Sequence, residues 1–169
     1  VGEPRGVLHE VAHSHHGHLA LAAGDRRVGE LRQVHQDWGA ERNYLLQQTL
    51  ERKLAALERG EACLCFASGM AAVSAALLGE LRSGDHVLFV NDTYGPTLQL
   101  AAYLERFGID HDLQLELDPS AIEAAIRPNT RMMWLESPGT MLFRTMDLRA
   151  VTKLARERGI VTAIDNSWA

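Results

Sequence analysis

The feature that most constrains the fold is a series of apolar stretches separated by helical segments. The stretches "HVLFV" (86–90), "RMMWLE" (131–136) and "IVTAI" (160–164) show almost no alternation of polar and apolar residues. A strand that is apolar throughout has no face for solvent, so it must be covered on both sides. Strands of this kind that alternate with helices are typical of parallel sheets. We therefore predict an α/β fold, with a mainly parallel sheet and helices on both faces.

The segments between these strands carry helix signals. Asp118 and Asp147 each precede a helical segment and can accept hydrogen bonds as N-caps. Pro96 opens another helix, at a position where proline is tolerated. Three helices share one ending, an arginine in the last turn followed by a glycine that suits left-handed backbone. These glycines are Gly84, Gly108 and Gly159.

Two further strands and a first helix complete the pattern. The strands are predicted at "ACLCFA" (62–67) and "IDHDLQL" (109–115). The helix is predicted at "YLLQQTLERKLAALERG" (44–60), where leucines recur at helical spacing and share one face. The alternation of strands and helices therefore extends from about residue 44 to the end of the chain.

Residues 1–36 differ from the rest of the chain. They show no clean period and contain six of the eight histidines. We interpret them as a His-rich arm or a poorly ordered extension. The spacing His-x-His-His-x-His is able to bind a metal ion. A mobile polar arm is the interpretation we favour, and we predict no metal site.

The composition excludes several classes of function. Hydrophobic residues make up 46% of the 169 residues and charged residues 23%, as in ordinary soluble proteins. The net charge of -5 argues against a nucleic-acid surface, which normally has a basic excess. No apolar run approaches the roughly 18 residues of a membrane span, and no secretory leader is visible. We expect a cytoplasmic protein with neither a nucleic-acid nor a membrane partner.

Polar residues follow four of the predicted strands at the point where each strand ends. In an open α/β sheet, ligands bind beyond the carboxyl ends of the strands. We therefore expect these four segments to converge on one ligand. They are Ser68-Gly69-Met70, Asn91-Asp92-Thr93-Tyr94, Glu136-Ser137-Pro138-Gly139-Thr140 and Asp165-Asn166-Ser167.

Three of these segments suggest a cofactor. Ser68, Gly69 and Met70 open a helix, whose free N–H groups and dipole favour a phosphate, although an ordinary capped turn would look the same. Tyr94 can present a flat face to a ring, or pack in the core. Asp165 follows a buried strand, where a carboxylate needs a ring nitrogen, a metal or an arginine as its partner. Pyridoxal phosphate has a phosphate, a flat ring and a basic nitrogen, and would satisfy all three segments.

Four segments of the chain, in the same order, resemble the Cys/Met-metabolism pyridoxal-phosphate enzymes. This is the fold-type I group of cystathionine lyases, cystathionine synthases and O-acyl-homoserine sulfhydrylases. The resemblance covers roughly residues 37–169 and implies that they form the N-terminal half of the family's large, pyridoxal-phosphate-binding domain, which would be truncated here. The segments are "FASGMAAVSAALL", "GDHVLFVNDTYGPT", "RPNTRMMWLESPGT" and "GIVTAIDNSWA".

The resemblance implies a role for each candidate site residue. Gly69 and Met70, with Ser68, would bind the cofactor phosphate. Tyr94 would stack on the pyridine ring, and Asp165 would pair with its nitrogen. A further cofactor contact is implied at Thr140, where the family has Asn or Ser. Arg42 is implied as a contact to the phosphate bound by a neighbouring subunit, because the family forms homo-oligomers with shared sites.

The motif "ESPGT" (136–140) resembles the E-S-P-G-S form of bacterial cystathionine β-lyases. The resemblance implies a β-elimination that converts cystathionine, a small amino-acid thioether, to homocysteine, pyruvate and ammonia. The γ-enzymes more often have E-S-P-x-N. A cystathionine γ-synthase, a γ-lyase or an O-acylhomoserine sulfhydrylase therefore stays an alternative, as does a non-catalytic fragment that binds a ligand or a metal.

The lysine that bonds covalently to the cofactor in this family lies beyond the position of Asp165, in a Ser-x-Thr-Lys segment. The chain contains only Lys53 and Lys153, and both lie in predicted helices rather than after strands. We therefore expect no catalytic residue in this chain. The resemblance implies an N-terminal fragment that is inactive by itself.

Overall fold

The structure is a computed structural model that describes residues 8–13, 19–22 and 41–168, with side chains from residue 44 onward. Within these residues, seven strands form one sheet that is flanked by five α-helices. The strands are β1 (Leu8–His13), β2 (Leu19–Ala22), β3 (Cys63–Phe66), β4 (His86–Val90), β5 (Asp110–Gln114), β6 (Thr130–Glu136) and β7 (Val161–Asp165). The helices are α1 (Glu41–Leu57), α2 (Gly69–Glu80), α3 (Gly95–Leu104), α4 (Pro119–Ala124) and α5 (Leu148–Glu157).

The strand order in the sheet is β3-β2-β1-β7-β6-β4-β5. β2 runs antiparallel to both of its neighbours, and the other strands all run in one direction. The prediction of a mainly parallel sheet is therefore confirmed. The carboxyl ends of β3, β4, β6 and β7 share one edge of the sheet, which is the edge where ligands bind in such folds.

Helices cover both faces of the sheet, as the apolar strands predict. Alternate residues of a strand point to opposite faces. Phe89 and Trp134 are buried in a cluster with residues of α2 and α3. Leu88 and Leu135, their neighbours in sequence, are buried in a second cluster with residues of α4 and α5. The central strands therefore have a hydrophobic core on each side.

Two of the predicted N-caps are confirmed. The Asp118 carboxylate accepts a hydrogen bond from the Ser120 N–H at 2.9 Å, at the start of α4. The Asp147 carboxylate accepts one from the Ala150 N–H at 3.0 Å, at the start of α5. Each cap satisfies an N–H group that has no partner inside its helix. The caps therefore fix where both helices begin.

α2 ends four residues before Gly84, so the prediction that it runs to this glycine is wrong. Leu81 has extended backbone, which ends the helix at Glu80, and its side chain is buried in the core. The Asp85 carboxylate then accepts a hydrogen bond from the Arg82 N–H at 2.8 Å and closes a separate turn. Gly84 has the predicted left-handed backbone, with φ at 96°, but in this turn rather than at a helix end.

Strands β1 and β2 lie inside residues 1–36, and neither is predicted from the sequence. β1 pairs with β7 in parallel, with Val11 opposite Asp165, and β2 lies between β1 and β3. Histidines and a glutamate interrupt the apolar residues of β1, and β2 is only four residues long, so neither segment shows a clear strand period. The division of the chain after residue 36 stays a prediction. The hypothesis of a histidine metal site falls on side chains outside the described residues.

α1 has the predicted helical form, but its leucine face is not buried among the described residues. Leu46 and Leu57 are exposed, whereas Glu51 and Ala55 are buried against β3. The side chain of Glu51 accepts a hydrogen bond from the Cys65 N–H at 3.1 Å, which explains the burial of a carboxylate. Among the described residues, no helix combines the length and the hydropathy that a membrane span requires.

Replacing Leu88 or Phe89 with alanine tests the two-sided core. Each side chain is fully buried, on opposite faces of β4. We expect both variants to lose about 2–5 kcal/mol of unfolding free energy, because each leaves a cavity. Leu113→Ala, on the edge strand β5, should lose less, because Leu113 is 42% exposed. Urea denaturation measures all three, and near-native stability of either β4 variant would contradict a core on that face.

Candidate functional site

A pocket of about 330 Å³ opens near the carboxyl ends of β4, β6 and β7. It brings together three of the residues predicted as cofactor contacts, Tyr94, Thr140 and Asp165. Tyr94 follows β4 and precedes α3, Thr140 lies in the loop after β6, and Asp165 ends β7. The remaining lining residues are Glu136, Ser167 and Trp168.

Asp165 is held in a fixed orientation by the turn that follows β7. Its Oδ1 atom accepts hydrogen bonds from the N–H of Ser167, at 3.1 Å, and from the Ser167 hydroxyl. The residue is 8% exposed, so its carboxyl group is largely shielded from bulk water while it still lines the pocket. A shielded acid with a fixed orientation suits a cationic partner in the pocket.

Glu136 ends β6 directly beside Asp165, because the two residues are paired in the register of the parallel strands. Its Oε2 atom accepts a hydrogen bond from the Tyr94 N–H at 2.8 Å, and its Oε1 atom is hydrogen-bonded to the Thr140 hydroxyl. Burial, together with the charges of Asp165 and Asp92, raises the pKa of Glu136 to about 7, although the hydrogen bonds from Thr140 and Tyr94 act in the opposite direction. The pocket therefore contains two neighbouring carboxyl groups in different environments.

Asp92 fastens the loop after β6 to the end of β4. Its Oδ2 atom accepts hydrogen bonds from the N–H groups of Met141 and Leu142, at 2.6 and 2.7 Å. Desolvation tends to raise the pKa of Asp92, but these two N–H groups, its own N–H and the charge of Arg144 together hold the pKa below its usual value. Gly139 passes close to this carboxylate, since a Cβ atom there would lie 2.0 Å from Asp92 Oδ1.

Asn91 joins the end of β4 to the end of β6 and to the loop that follows β6. Its side-chain Nδ2 donates to the carbonyl oxygens of Glu136 and Arg144, both at 2.8 Å. The residue is fully buried and has left-handed backbone, with φ at 85°. Asparagine tolerates this conformation better than most residues do. Asn91 therefore holds the ends of β4 and β6 together at the edge of the sheet where the pocket lies.

Ser68, Gly69 and Met70 lie at the start of α2, as predicted, but they do not line the pocket itself. The Ser68 hydroxyl caps the helix by accepting a hydrogen bond from the Ala71 N–H at 3.2 Å. Gly69 and Met70 occupy the first two helical positions, whose N–H groups have no acceptor within a helix. The ordinary capping role of Ser68 is therefore seen, and it leaves two N–H groups for an anion.

The start of α2 lies on the same face of the sheet as the two pocket carboxyl groups. α2 packs on the face that holds Trp134 and Ala163. Glu136 and Asp165 follow these residues by two positions in β6 and β7, so their side chains share that face. The start of α2 and the acid-lined pocket are thus arranged along one edge and on one face, although β1 and β2 lie between β3 and β7 in the sheet.

The two lysines of the chain lie away from the pocket. Lys53 is exposed on α1. Lys153 is exposed on α5 and lies 3.8 Å from Glu157, one helical turn away. Arg42 belongs to α1, but its side chain is outside the described part of the chain. Neither lysine is placed to react with a ligand in the pocket.

The pocket residues suit a flat ring with a basic nitrogen. Asp165 provides an acid, Thr140 a hydroxyl group, and Tyr94 and Trp168 provide aromatic surface. Trp168 also packs edge-on against Phe143, with ring centroids 5.1 Å apart. The four predicted strand-end segments include Glu136 and Ser167 without giving either residue a role, and they do not include Trp168. The signal available for Glu136 is its place after a buried strand, the same signal that identifies Asp165.

Comparison with known proteins agrees with this arrangement. The model of the family described as Cys/Met metabolism PLP-dependent enzyme matches residues 30–169. A probable cystathionine gamma-synthase of Herpetosiphon aurantiacus is 43% identical over 124 residues, which are 71% of this chain and 38% of that protein. The cystathionine beta-lyase MetC of Staphylococcus haemolyticus is 41% identical over 123 residues, 72% of this chain and 31% of that protein. The chain spans about a third of the length of these relatives.

A solved structure shows the same fold. The O-acetylhomoserine sulfhydrylase of Wolinella succinogenes superimposes with a TM-score of 0.67 at 32% sequence identity, over 71% of this chain and 34% of that one. The fold-type I prediction is therefore confirmed, and so is the dependence of the family on pyridoxal phosphate. The chain belongs to the Cys/Met metabolism family of pyridoxal-phosphate-dependent enzymes.

Proposed function

We propose that the chain supplies cofactor-binding strand ends of a pyridoxal-phosphate-dependent C–S lyase that cleaves a cystathionine-like thioether. The observation that carries this proposal is the convergence of Tyr94, Thr140 and Asp165 on one pocket. The helix start at Gly69 and Met70 supports it, because it lies at the same edge and on the same face of the sheet. One ligand with a phosphate and a basic ring accounts for all these groups.

Asp165 is the residue that would act on the cofactor ring. Bound pyridoxal phosphate supplies an electron sink for negative charge that develops on the α-carbon of an amino-acid substrate. Asp165 would hold a proton on the ring nitrogen, because its carboxylate stabilises the cationic form. The two hydrogen bonds from Ser167 to Oδ1 restrict the rotation of the carboxyl group.

The other residues would bind and orient the cofactor. The N–H groups of Gly69 and Met70 would bind its phosphate, with Ser68 fixing the helix start. Tyr94 would cover one face of the ring. Thr140 would place its hydroxyl group beside the ring, in an orientation set by its bond to Glu136. The aromatic side chains of Tyr94 and Trp168 would cover part of the ring and limit the access of water to it.

The choice of β-elimination rests on the loop after β6. "ESPGT" (136–140) has the glycine and the small hydroxyl residue of the β-lyase form of the motif, and the 41% identical relative is named a cystathionine beta-lyase. A cystathionine gamma-synthase is the second candidate, because a relative with that name is 43% identical. We also propose that the protein is a cytoplasmic homo-oligomer. Arg42 would then contact the cofactor phosphate that is bound by a neighbouring subunit.

Asp165→Asn tests the ring contact. The probe is pyridoxamine 5′-phosphate, which has no aldehyde and so requires no lysine. We expect its affinity to fall by about tenfold or more, because a hydrogen bond to a charged group contributes about 1.5–3 kcal/mol. Titration calorimetry measures the affinity, and Asp110→Asn, an exposed position on β5, is the control. Equal affinity in the Asp165 variant and the control would contradict the ring contact.

Ser68→Asp tests the phosphate contact. Aspartate caps a helix as well as serine does, so the stability of α2 should be kept. Its negative charge should weaken pyridoxamine 5′-phosphate binding by about tenfold, because like charges near a surface repel by on the order of 1 kcal/mol or more. Ser68→Asn keeps the cap without the charge and should bind normally. Unphosphorylated pyridoxamine should not distinguish the three proteins, and a tenfold loss for it as well would contradict a phosphate site.

The products distinguish the two candidate reactions. We expect the protein expressed from its complete gene to release pyruvate from cystathionine, because β-elimination leaves a three-carbon acid. Release of 2-oxobutyrate instead would indicate γ-elimination. Both acids can be separated by chromatography after a single incubation. Formation of a thioether from an O-acylhomoserine, without either acid, would assign the protein to the synthases.

A further inference from the structure

Glu136 is a buried ionisable residue of the pocket to which the cofactor contacts above give no role. It is 3% exposed, although a carboxyl group in such a place is costly unless it is well paired. Its neighbour in the sheet, Asp165, is another carboxyl group, which increases the cost. A residue of this kind needs either a structural or a functional explanation.

The contacts of Glu136 join the separate walls of the pocket. One carboxyl oxygen binds the N–H of Tyr94, at the start of α3, and the other binds the hydroxyl of Thr140, in the loop after β6. Its carbonyl oxygen accepts a hydrogen bond from Asn91, at the end of β4. The register of β6 and β7 places the same residue next to Asp165. Glu136 is therefore in contact with, or adjacent to, each predicted ring contact.

We propose that Glu136 is a positioning residue, which holds Tyr94 and Thr140 at fixed positions relative to Asp165 and so shapes the pocket for a cationic ring. The inference rests on the proposed function, because it assumes that the ring of pyridoxal phosphate binds beside Asp165. Glu136 acts through its two partners rather than on the reacting atoms. A glutamine at this position would keep one acceptor for Tyr94 and a donor for Thr140, whereas an alanine would lose both contacts.

The charges around Glu136 make the arrangement sensitive to pH. Burial raises its pKa to about 7, and the carboxylates that face it, Asp165 on β7 and Asp92 after β4, act in the same direction. Arg144, in the loop after β6, lowers the pKa of Asp92. A cationic ring beside Asp165 favours the ionised form of Glu136, so binding should release a proton. The contribution of Glu136 to affinity therefore grows as the pH rises toward 7.

The ionisation of Glu136 should affect folding stability in the opposite direction, so that its contribution to stability falls as the pH rises. Its pKa is raised from 4.5 to about 7 in the folded protein, so the folded state binds more protons than the unfolded state between these values. The contribution of Glu136 to stability is therefore lost as the pH rises through this range. Glutamine does not titrate, and Glu136→Gln should not show this loss. The thermal unfolding midpoint of the variant, relative to wild type, should rise between about pH 5 and about pH 8.

Binding of pyridoxamine 5′-phosphate by wild type, E136Q and E136A tests the proposal, by calorimetry from about pH 5.5 to about pH 8. We expect E136A to bind about tenfold more weakly near pH 5.5, because both contacts are lost, and the deficit should grow as the pH rises. E136Q should bind within about threefold of wild type near pH 5.5, and the ratio of wild-type to E136Q affinity should rise with pH. Glu116→Gln, an exposed position after β5, is the matched control and should behave as wild type.

Two outcomes would overturn the proposal, and they differ from each other. Wild type that does not bind the probe at any pH would overturn the cofactor assignment, and the role of Glu136 with it. If wild type binds the probe, E136A binds it with equal affinity, and the ratio of wild-type to E136Q affinity does not change with pH, the positioning role alone is overturned. The unfolding midpoints identify a variant that fails to fold. In that case Thr140→Val tests the contact between Glu136 and Thr140 by removing the other partner. We expect its affinity for the probe to fall by about threefold or more.

Discussion

The register between β6 and β7 is the constraint on which the candidate site depends. It pairs Glu136 with Asp165, so two carboxyl groups leave neighbouring strands on the same face of the sheet. A shift of one residue in either strand would turn one of these side chains to the opposite face. The buried residues before them, such as Trp134 and Ile164, fix this register because each has only one face of the sheet where it can pack.

Because the central strands of the sheet are apolar on both faces, packing on each side favours one register. The central strands carry little polar surface, so their side chains pack against helices on either side. Polar residues are then confined to the strand ends and the loops that follow. At this edge they bind one another: Asp92 holds the loop after β6, and Asn91 holds β4 to β6. The site is therefore built by contacts among three strand ends rather than within any one of them.

Much of this arrangement could be predicted from local patterns. Asp118 and Asp147 cap the helices they precede, since an N-cap depends only on the next few residues. Tyr94, Thr140 and Asp165 meet in one pocket, because the carboxyl ends of parallel strands share an edge. The end of α2 could not be predicted in this way, because Leu81 adopts extended backbone where its side chain packs against core residues that are distant in the chain.

The sequence by itself determined the fold class and the edge of the sheet where a ligand would bind, because both follow from periodicity and from the residue types at strand ends. Only the tertiary structure decided that β1 and β2 join the sheet between β3 and β7, since their sequence period is weak. It also decided the neighbours of Glu136. Tyr94 and Asp165 lie 42 and 29 positions from Glu136 in the chain. Contacts between residues this far apart depend on strand order and register.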